Sequence, residues 1–459
     1  MQTEVTKDLP AGEFSLRDAS IGVRFAPLVF FCVWALLPLF LMFWGPFDFQ
    51  LDNPDTLIGF LFACVLAFGL GYTLFAPSTR VEIVRHPRPH PRINAFYVAA
   101  CVLSALLVEP SIYAYTGKHV WQIDSVLNQR EVYLELLSAL EQGSPLRKAM
   151  SALRGLSAPL ILLVLPTAAV YWPDLARRAR WSILGVVLCF LLFSLFRGTD
   201  KEMGDLLVFF FTGIAIAAGF RSLRGAQIDR KAFVRRAAIG FCVIMVFVTL
   251  FTLRKAARMQ GALSFCLYND VACFTVDTGS DFVNFIRFSF GMLSAYLNQG
   301  YYGLSVALNT DFNWTYGIGH SSFLVSFFSS FFDSESIYQD GLMYALRAGG
   351  WDDRYVWSSA FPWLASDLTF WGVPPFMFLI GAVYSRAWFA AIARRSLSGI
   401  MVFALLSIFI VYLPANNQLA QSPDYYVATV VWLAIFVLEG VRNVSRKDFV
   451  DHGRNRVVR

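Results

Sequence analysis

The run Trp314-Thr315-Tyr316-Gly317-Ile318-Gly319-His320 lies in the middle of a stretch, residues 254–362, that does not continue the apolar pattern on either side of it. Irregular backbone of this kind is tolerated in a membrane-embedded chain only against water or against protein. A chain that is apolar elsewhere and keeps one large polar, aromatic segment is therefore expected to hold it at the membrane–water boundary. Its chemistry is expected there too.

The surrounding sequence sets the fold class. Hydrophobic residues make up 57% of the 459 positions and charged residues 15%, with a mean hydropathy of +0.54. Such values predict an all-α polytopic membrane protein rather than a soluble one. A crossing needs about 20 mainly apolar residues. Windows near that length recur at 25–44, 57–76, 95–115, 156–172, 182–196, 206–220, 237–253, 373–391, 400–413 and 425–439. That makes about ten helices. The implied organisation is an N-terminal bundle over 1–253 and the boundary segment 254–362. C-terminal helices follow over 363–441, then a basic tail at 442–459.

Positive charge gives the orientation. Lys and Arg gather at Arg80, Arg85, Arg88 and Arg92, at Arg177, Arg178 and Arg180, between Arg221 and Arg236, at Arg394 and Arg395, and in the tail. The intervening loop 45–56 has no Lys or Arg but carries Asp48, Asp52 and Asp55. Alternate loops are basic, which predicts cytoplasmic termini at both ends. The net charge of +6 then describes anchoring to the inner leaflet. No compact basic domain is present to serve nucleic acid. The first span follows a mixed-charge leader without a small-residue cleavage pattern and reads as an uncleaved anchor.

Five of the seven cysteines fall inside spans, where they act as packing residues. Cys266 and Cys273 fall in the outer segment. A disulfide and a pair of free thiols in a buried turn both fit their spacing and compartment. Loop 116–155 carries Tyr133, Leu134, Leu136, Leu137, Leu140 and Leu146 at helical spacing, an amphipathic helix on the outer face. Segments 282–308 and 321–332 are apolar enough to dip into the membrane or to lie along it.

Candidate site residues concentrate at the predicted outer boundary. Arg197 and Lys201 stand in a short connection between two spans, on the face where few cations are expected. Paired guanidinium and ammonium groups there suit a diphosphate. They also suit headgroup anchoring, or a turn neutralised by Asp200, Glu202 and Asp205. Arg287 is followed by no Lys or Arg until Arg347. An isolated Arg in aromatic surroundings needs an anion, whether a protein carboxylate or a ligand phosphate. Arg354 flanks the turn Gly349-Gly350-Trp351-Asp352-Asp353.

Tyr296, Tyr301, Tyr302, Trp314 and Tyr316 are the residue types that stack on sugar faces. Interfacial belts favour them as well. His320 could deprotonate a hydroxyl or serve as a structural hydrogen-bonding group. Asp367, where the chain returns to an apolar span, could act as a base. It could equally pair with Arg287 or Arg354, or cap the following helix. No P-loop, HExxH, GxSxG or paired CxxC occurs, and no spacing suggests a metal site.

These residues resemble a family, the bacterial O-antigen or capsular repeat-unit polymerases of the inner membrane. Four features carry the likeness: Leu195-Phe196-Arg197-Gly198 leading into a span, one large outer segment before the last three spans, the Tyr296 to Leu304 run with Tyr316-Gly317-Ile318-Gly319, and Ser366-Asp367-Leu368-Thr369-Phe370-Trp371-Gly372 with Gly381 beyond it. Together they cover roughly residues 182–395. The resemblance implies a GT-C-like glycosyltransferase acting at the periplasmic face, with a growing glycan on undecaprenyl diphosphate transferred to the next lipid-linked repeat unit. Arg197, Lys201, Arg287 and Arg354 would hold the diphosphate, and His320 or Asp367 would take the acceptor proton. It implies no nucleotide sugar, cofactor or metal, and a chain-length-regulating co-polymerase as partner beside membrane lipids. An O-antigen ligase or another polyprenyl-phosphate glycosyltransferase is the alternative within the same chemistry. A transporter or flippase is the alternative of another class, disfavoured by spans that mostly lack charge.

Overall fold

The structure is a computed structural model. It describes residues 20–76, 91–126, 128–142, 144–225, 230–259, 264–267, 271–276, 279–332, 339, 341–352 and 356–457. Its helices in chain order are α1 (Ile21–Trp44), α2 (Pro54–Leu74), α3 (Ile93–Thr116), α4 (Gln129–Gln142), α5 (Pro145–Ile161), α6 (Val164–Tyr171), α7 (Arg177–Arg197), α8 (Lys201–Ser222) and α9 (Arg230–Arg258). A short hairpin, β1 (Ser264–Cys266) and β2 (Cys273–Thr275), precedes α10 (Asp281–Leu308), α11 (Ser322–Phe332) and α12 (Leu342–Ala348). Three helices close the chain: α13 (Ala360–Arg394), α14 (Leu397–Tyr412) and α15 (Pro423–Val457).

Among the described residues nine helices are long and apolar enough to cross a membrane, with α5 and α6 forming one of them, Pro145–Asp174. α14, with 16 residues, is shorter but buried along nearly its whole length. The protein is thus an all-α, multi-pass membrane protein. Spans from both halves of the sequence share one bundle, because α13 packs on α2 and α8, α14 on α8, and α15 on α5.

Cross-links at the helix ends show which loops share a face. At one end the Tyr171 hydroxyl donates to the Arg395 carbonyl at 2.6 Å, and Arg395 pairs with Asp174 at 2.6 Å. Arg224 donates to the Ala393 carbonyl at 3.1 Å, Trp388 to that of Val23 at 3.0 Å, and Tyr72 to that of Arg24 at 2.8 Å. Ser398 donates to Glu439 at 2.6 Å. The first span therefore starts, and the last apolar stretch ends, at the end where the basic loops collect. Connections 45–53, 198–200 and 413–422 lie at the other.

Two glycines set the tightest helix contact. A Cβ on Gly71 of α2 would sit 1.9 Å from the Phe378 carbonyl oxygen, and one on Gly381 of α13 would sit 2.2 Å from that of Phe68. Small residues facing each other let backbones approach where no hydrophobic effect drives association.

α10 and α11 are not among the spans. Asn53, at the non-basic end, donates to the Ser305 carbonyl at 3.0 Å and to Asn309 at 2.9 Å. Tyr301 reaches down from α10 to the Ala35 carbonyl of α1 at 2.8 Å. A Cys266–Cys273 disulfide closes the hairpin, resolving the choice that the sequence left open. Phe265 of the hairpin meets Phe288 of α10 edge-on at 5.8 Å. Gly291 leaves room for Phe274, whose ring would lie 2.5 Å from an added Cβ.

Gly71→Ala should therefore lower stability by about 1–3 kcal/mol through overpacking. Gly59→Ala, on the same helix with nothing within 4 Å, should be neutral. Thermal unfolding in detergent checks both, and equal midpoints would refute the close contact.

Candidate functional site

Two polar clusters stand at the non-basic end of the bundle. The first forms around the α7–α8 turn. Gly198 adopts a left-handed conformation (φ 61°), which only glycine takes freely, and caps α7 with its N–H on the Leu195 carbonyl at 3.1 Å. Thr199 donates to Glu202 at 2.8 Å, and Arg197 pairs with Glu202 at 2.6 Å. The tight turn projects Asp200 toward the last turns of α9. There Arg254 meets it at 3.0 Å, Lys255 at 3.2 Å and Arg258 at 3.8 Å. Arg254 also donates to the Thr199 carbonyl at 3.1 Å, and Arg258 to that of Gly198.

Aromatic faces cover these cations. Lys255 lies 4.7 Å from the Tyr296 ring, Arg258 4.7 Å from Tyr133 of α4, and Arg197 4.9 Å from Phe193. Burial first, then the Asp200 carboxylate, push the Tyr296 phenol above its ordinary range, so it remains a neutral hydroxyl. On the other side of the turn Lys201 sits 3.7 Å from Asp205 and 4.7 Å from the Tyr425 ring, and Arg154 pairs with Asp424 at 2.8 Å. Among the described residues six cationic side chains thus face four carboxylates. The imbalance is local, because three of the six share Asp200. Such a place can take an anion with little further rearrangement of charge.

The second cluster is built on Asp367. α13 is broken at Thr369, whose φ of 58° and ψ of 165° lie outside helical space. That region is essentially confined to glycine and stores roughly 1–3 kcal/mol of strain. The break leaves Asp367 near the end of a first helical segment, facing the 314–320 run. Tyr316 and Gly317 both have positive φ (54° and 86°), which turns successive N–H groups toward one point, an anion-binding nest. Asp367 fills it. Its carboxylate accepts from the N–H groups of Gly317 (2.9 Å), Gly319 (3.2 Å) and His320 (2.8 Å), from the Thr315 hydroxyl, and from His320 Nδ1 at 2.9 Å. The Trp314 indole donates to the Asp367 carbonyl at 2.6 Å. A carboxylate holding five donors is a positioning group. With Nδ1 on Asp367, the neutral ring presents Nε2 as its acceptor.

The connection 412–426 joins the clusters. Tyr412 donates to the Lys201 carbonyl at 3.3 Å and Asn417 to the His320 carbonyl at 2.9 Å. The Ser321 hydroxyl donates to the Ala420 carbonyl at 2.7 Å. Consecutive tyrosines then divide: Tyr425 meets Lys201, whereas the Tyr426 ring lies 6.1 Å from that of His320.

Each cluster heads a groove. The first groove, about 60 Å³, has Arg154, Lys201, Glu202, Asp205 and Asp424 at one end and Leu107, Ile161 and Phe190 deeper in. The second, about 330 Å³, runs between α13, α14 and α15 from His320, Asn417 and Tyr426 into a wholly apolar interior.

The structure brings together Arg197 and Lys201 with Tyr296 in the first cluster, and His320 and Asp367 with Trp314 and Tyr316 in the second. Asp367 pairs with His320 rather than with an arginine. Arg287 stands apart, exposed on α10 beside exposed Val283, Ile286 and Phe290, the setting of a snorkelling cation. Arg354 lies outside the described residues. Tyr301 is fully buried on Ala35, and Tyr302 packs between Phe49 at 5.7 Å and Trp351 at 5.2 Å. Trp314 and Tyr316 are exposed, 4.9 Å apart.

Sequence reasoning missed Arg254, Lys255 and Arg258. Their signal was a cationic i, i+1, i+4 pattern at the outer end of a span, where the charge rule expects none. It also missed Asn417 and the Tyr425–Tyr426 pair. No family model, no characterised protein sequence and no solved structure matches the chain.

Asp200→Asn would leave three neighbouring cations without their carboxylate. It should destabilise the protein by about 3–5 kcal/mol, and adding Lys255→Met should recover part of the loss. Thermal unfolding of single and double variants measures this; an unchanged midpoint in the single variant would mean that Asp200 does not hold the cluster.

Proposed function

We propose that the protein is a glycosyltransferase of the bacterial inner membrane that polymerises undecaprenyl-diphosphate-linked oligosaccharide repeat units at the periplasmic face. The supporting observation is the pairing, across one helix end, of a cation-rich cluster with a histidine held by a carboxylate. A groove opens beside each at the same end of the bundle, the first carrying charged residues at one end and the second apolar beyond its mouth. The chemistry of joining two lipid-linked glycans asks for those parts.

The donor glycan is attached through its anomeric carbon to a diphosphate. Arg254, Lys255 and Arg258, with Lys201 on the groove side of the turn, hold that diphosphate while its lipid chain enters the first groove. As the bond from anomeric carbon to phosphate oxygen breaks, negative charge grows on the leaving diphosphate. Preorganised cations stabilise it there more than in the ground state. His320 Nε2 takes the proton from the acceptor hydroxyl, whose oxygen forms the new glycosidic bond. Asp367 keeps the imidazole in the required tautomer and stabilises the imidazolium that results. The released undecaprenyl diphosphate leaves laterally. Exposed Trp314 and Tyr316 offer faces on which sugar rings stack beside the base.

His320→Gln and Arg258→Gln, each expressed in a strain lacking its own polymerase, should abolish the surface glycan ladder beyond one repeat. Ligation of single repeats should persist. Loss of a general base typically lowers rate by about 10²–10⁴-fold, enough to collapse the ladder on a gel. A normal ladder in both variants would discard the reading.

A further inference from the structure

We infer that the second groove binds the isoprenoid chain of the acceptor lipid, whose hydroxyl-bearing head then reaches His320. This rests on the proposed polymerase and gives its second lipid a place, on the opposite side of α15 from the first.

The shape comes from one short helix. The 16 residues of α14 leave a floor of Val402, Leu405, Leu406 and Phe409, all buried within the bundle. From Val402 to Phe409 that floor extends about 10 Å at 1.5 Å per residue. α13 and α15 form the sides, and Leu379, Val430 and Leu433 line the groove with 58%, 53% and 38% of their surface exposed. Among the described residues no charged one lines it, so the interior accepts hydrocarbon alone.

The mouth is different. His320, Asn417, Tyr426 and Thr429 line the same space, and the buried Thr429 hydroxyl has no hydrogen-bond partner among the described residues. A purely apolar occupant would leave the Thr429 hydroxyl unsatisfied. The fitting ligand is amphipathic, with a chain in the groove and hydroxyls at its mouth. The link to the base selects among such lipids. A repeat unit is only a few sugars long, so a lipid-linked acceptor whose sugar hydroxyl meets His320 Nε2 keeps its diphosphate and chain at this end of the bundle, where the groove opens. Tyr425 faces the first groove and Tyr426 the second. The two lipid chains therefore flank α15, with their heads converging on its first turn.

The test uses the full-length protein in nanodiscs of phosphatidylethanolamine and phosphatidylglycerol, with a diazirine-bearing undecaprenyl diphosphate as probe and peptide mapping of adducts. Adducts are expected on α14 and α15 within the groove, and unlabelled undecaprenyl diphosphate should compete with them. Leu433→Trp and Leu379→Trp, at positions already part-exposed, should each reduce them roughly tenfold, equivalent to about 1.4 kcal/mol. Adducts on α3 and α7 should be unchanged. In a polymerisation assay both variants should raise the acceptor KM about tenfold at constant kcat. Equal labelling of the groove by a diazirine phosphatidylethanolamine would overturn the inference, making the occupant an ordinary membrane lipid. Variants that polymerise like the parent would overturn it while leaving the polymerase reading standing. Competed, variant-sensitive adducts in a protein that joins no repeats would instead keep the isoprenoid site and remove the polymerase.

Discussion

Charge gathered at the end of an apolar bundle has to be compensated on the spot, and Asp200 is where this protein does it. Its carboxylate holds three cations of α9 against the turn between α7 and α8. Tyr133 and Tyr296 then bring α4 and α10 onto the same cations. One acid thereby ties three spans, an amphipathic helix and a boundary helix together. The arrangement is asymmetric in charge, which is a poor way to gain stability and a good way to receive an anion. Buried ion pairs contribute little net stability against apolar packing, so a purely structural joint could have been built from leucines.

The Asp367 cluster follows a different logic. There one carboxylate is saturated by neutral donors and by a single imidazole, and the backbone is bent to allow it at Tyr316, Gly317 and Thr369. Strain at Thr369 persists because five hydrogen bonds hold the acid on one side and the packed span holds the chain on the other. The 412–426 connection keeps the two clusters in register, since Tyr412 and Asn417 bond to backbone carbonyls on either side of it. Positioning by backbone bonds resists side-chain motion, so the two clusters keep their spacing although their residues come from segments distant in sequence.

Much of the architecture was legible in the sequence because crossing a membrane demands an apolar length that few other structures need. Each predicted window overlaps a helix, and 400–413 marked α14 although it is short. The fourth span, however, begins at Pro145 rather than 156, so Leu146, read as part of the outer amphipathic loop, belongs to a span. The site was legible only in pieces. His320 and Asp367 were each singled out, but 47 residues separate them and nothing in periodicity says that a helix break will face them together. Arg254, Lys255 and Arg258 looked like the edge of a segment, because their partner Asp200 lies in a loop that already neutralises part of its own charge. Tyr301 had the residue type of a sugar platform, yet its place on α10 aims its hydroxyl into α1. Composition reports which groups are available; only the packing decides which face of α10 each one occupies.

The most direct test is a density map of the protein in nanodiscs with undecaprenyl diphosphate bound. The account predicts both phosphates at the α7–α8 turn, within hydrogen-bond distance of at least two among Lys201, Arg254, Lys255 and Arg258. A well-resolved headgroup elsewhere, with those cations still closed on Asp200 and Asp205, would contradict it.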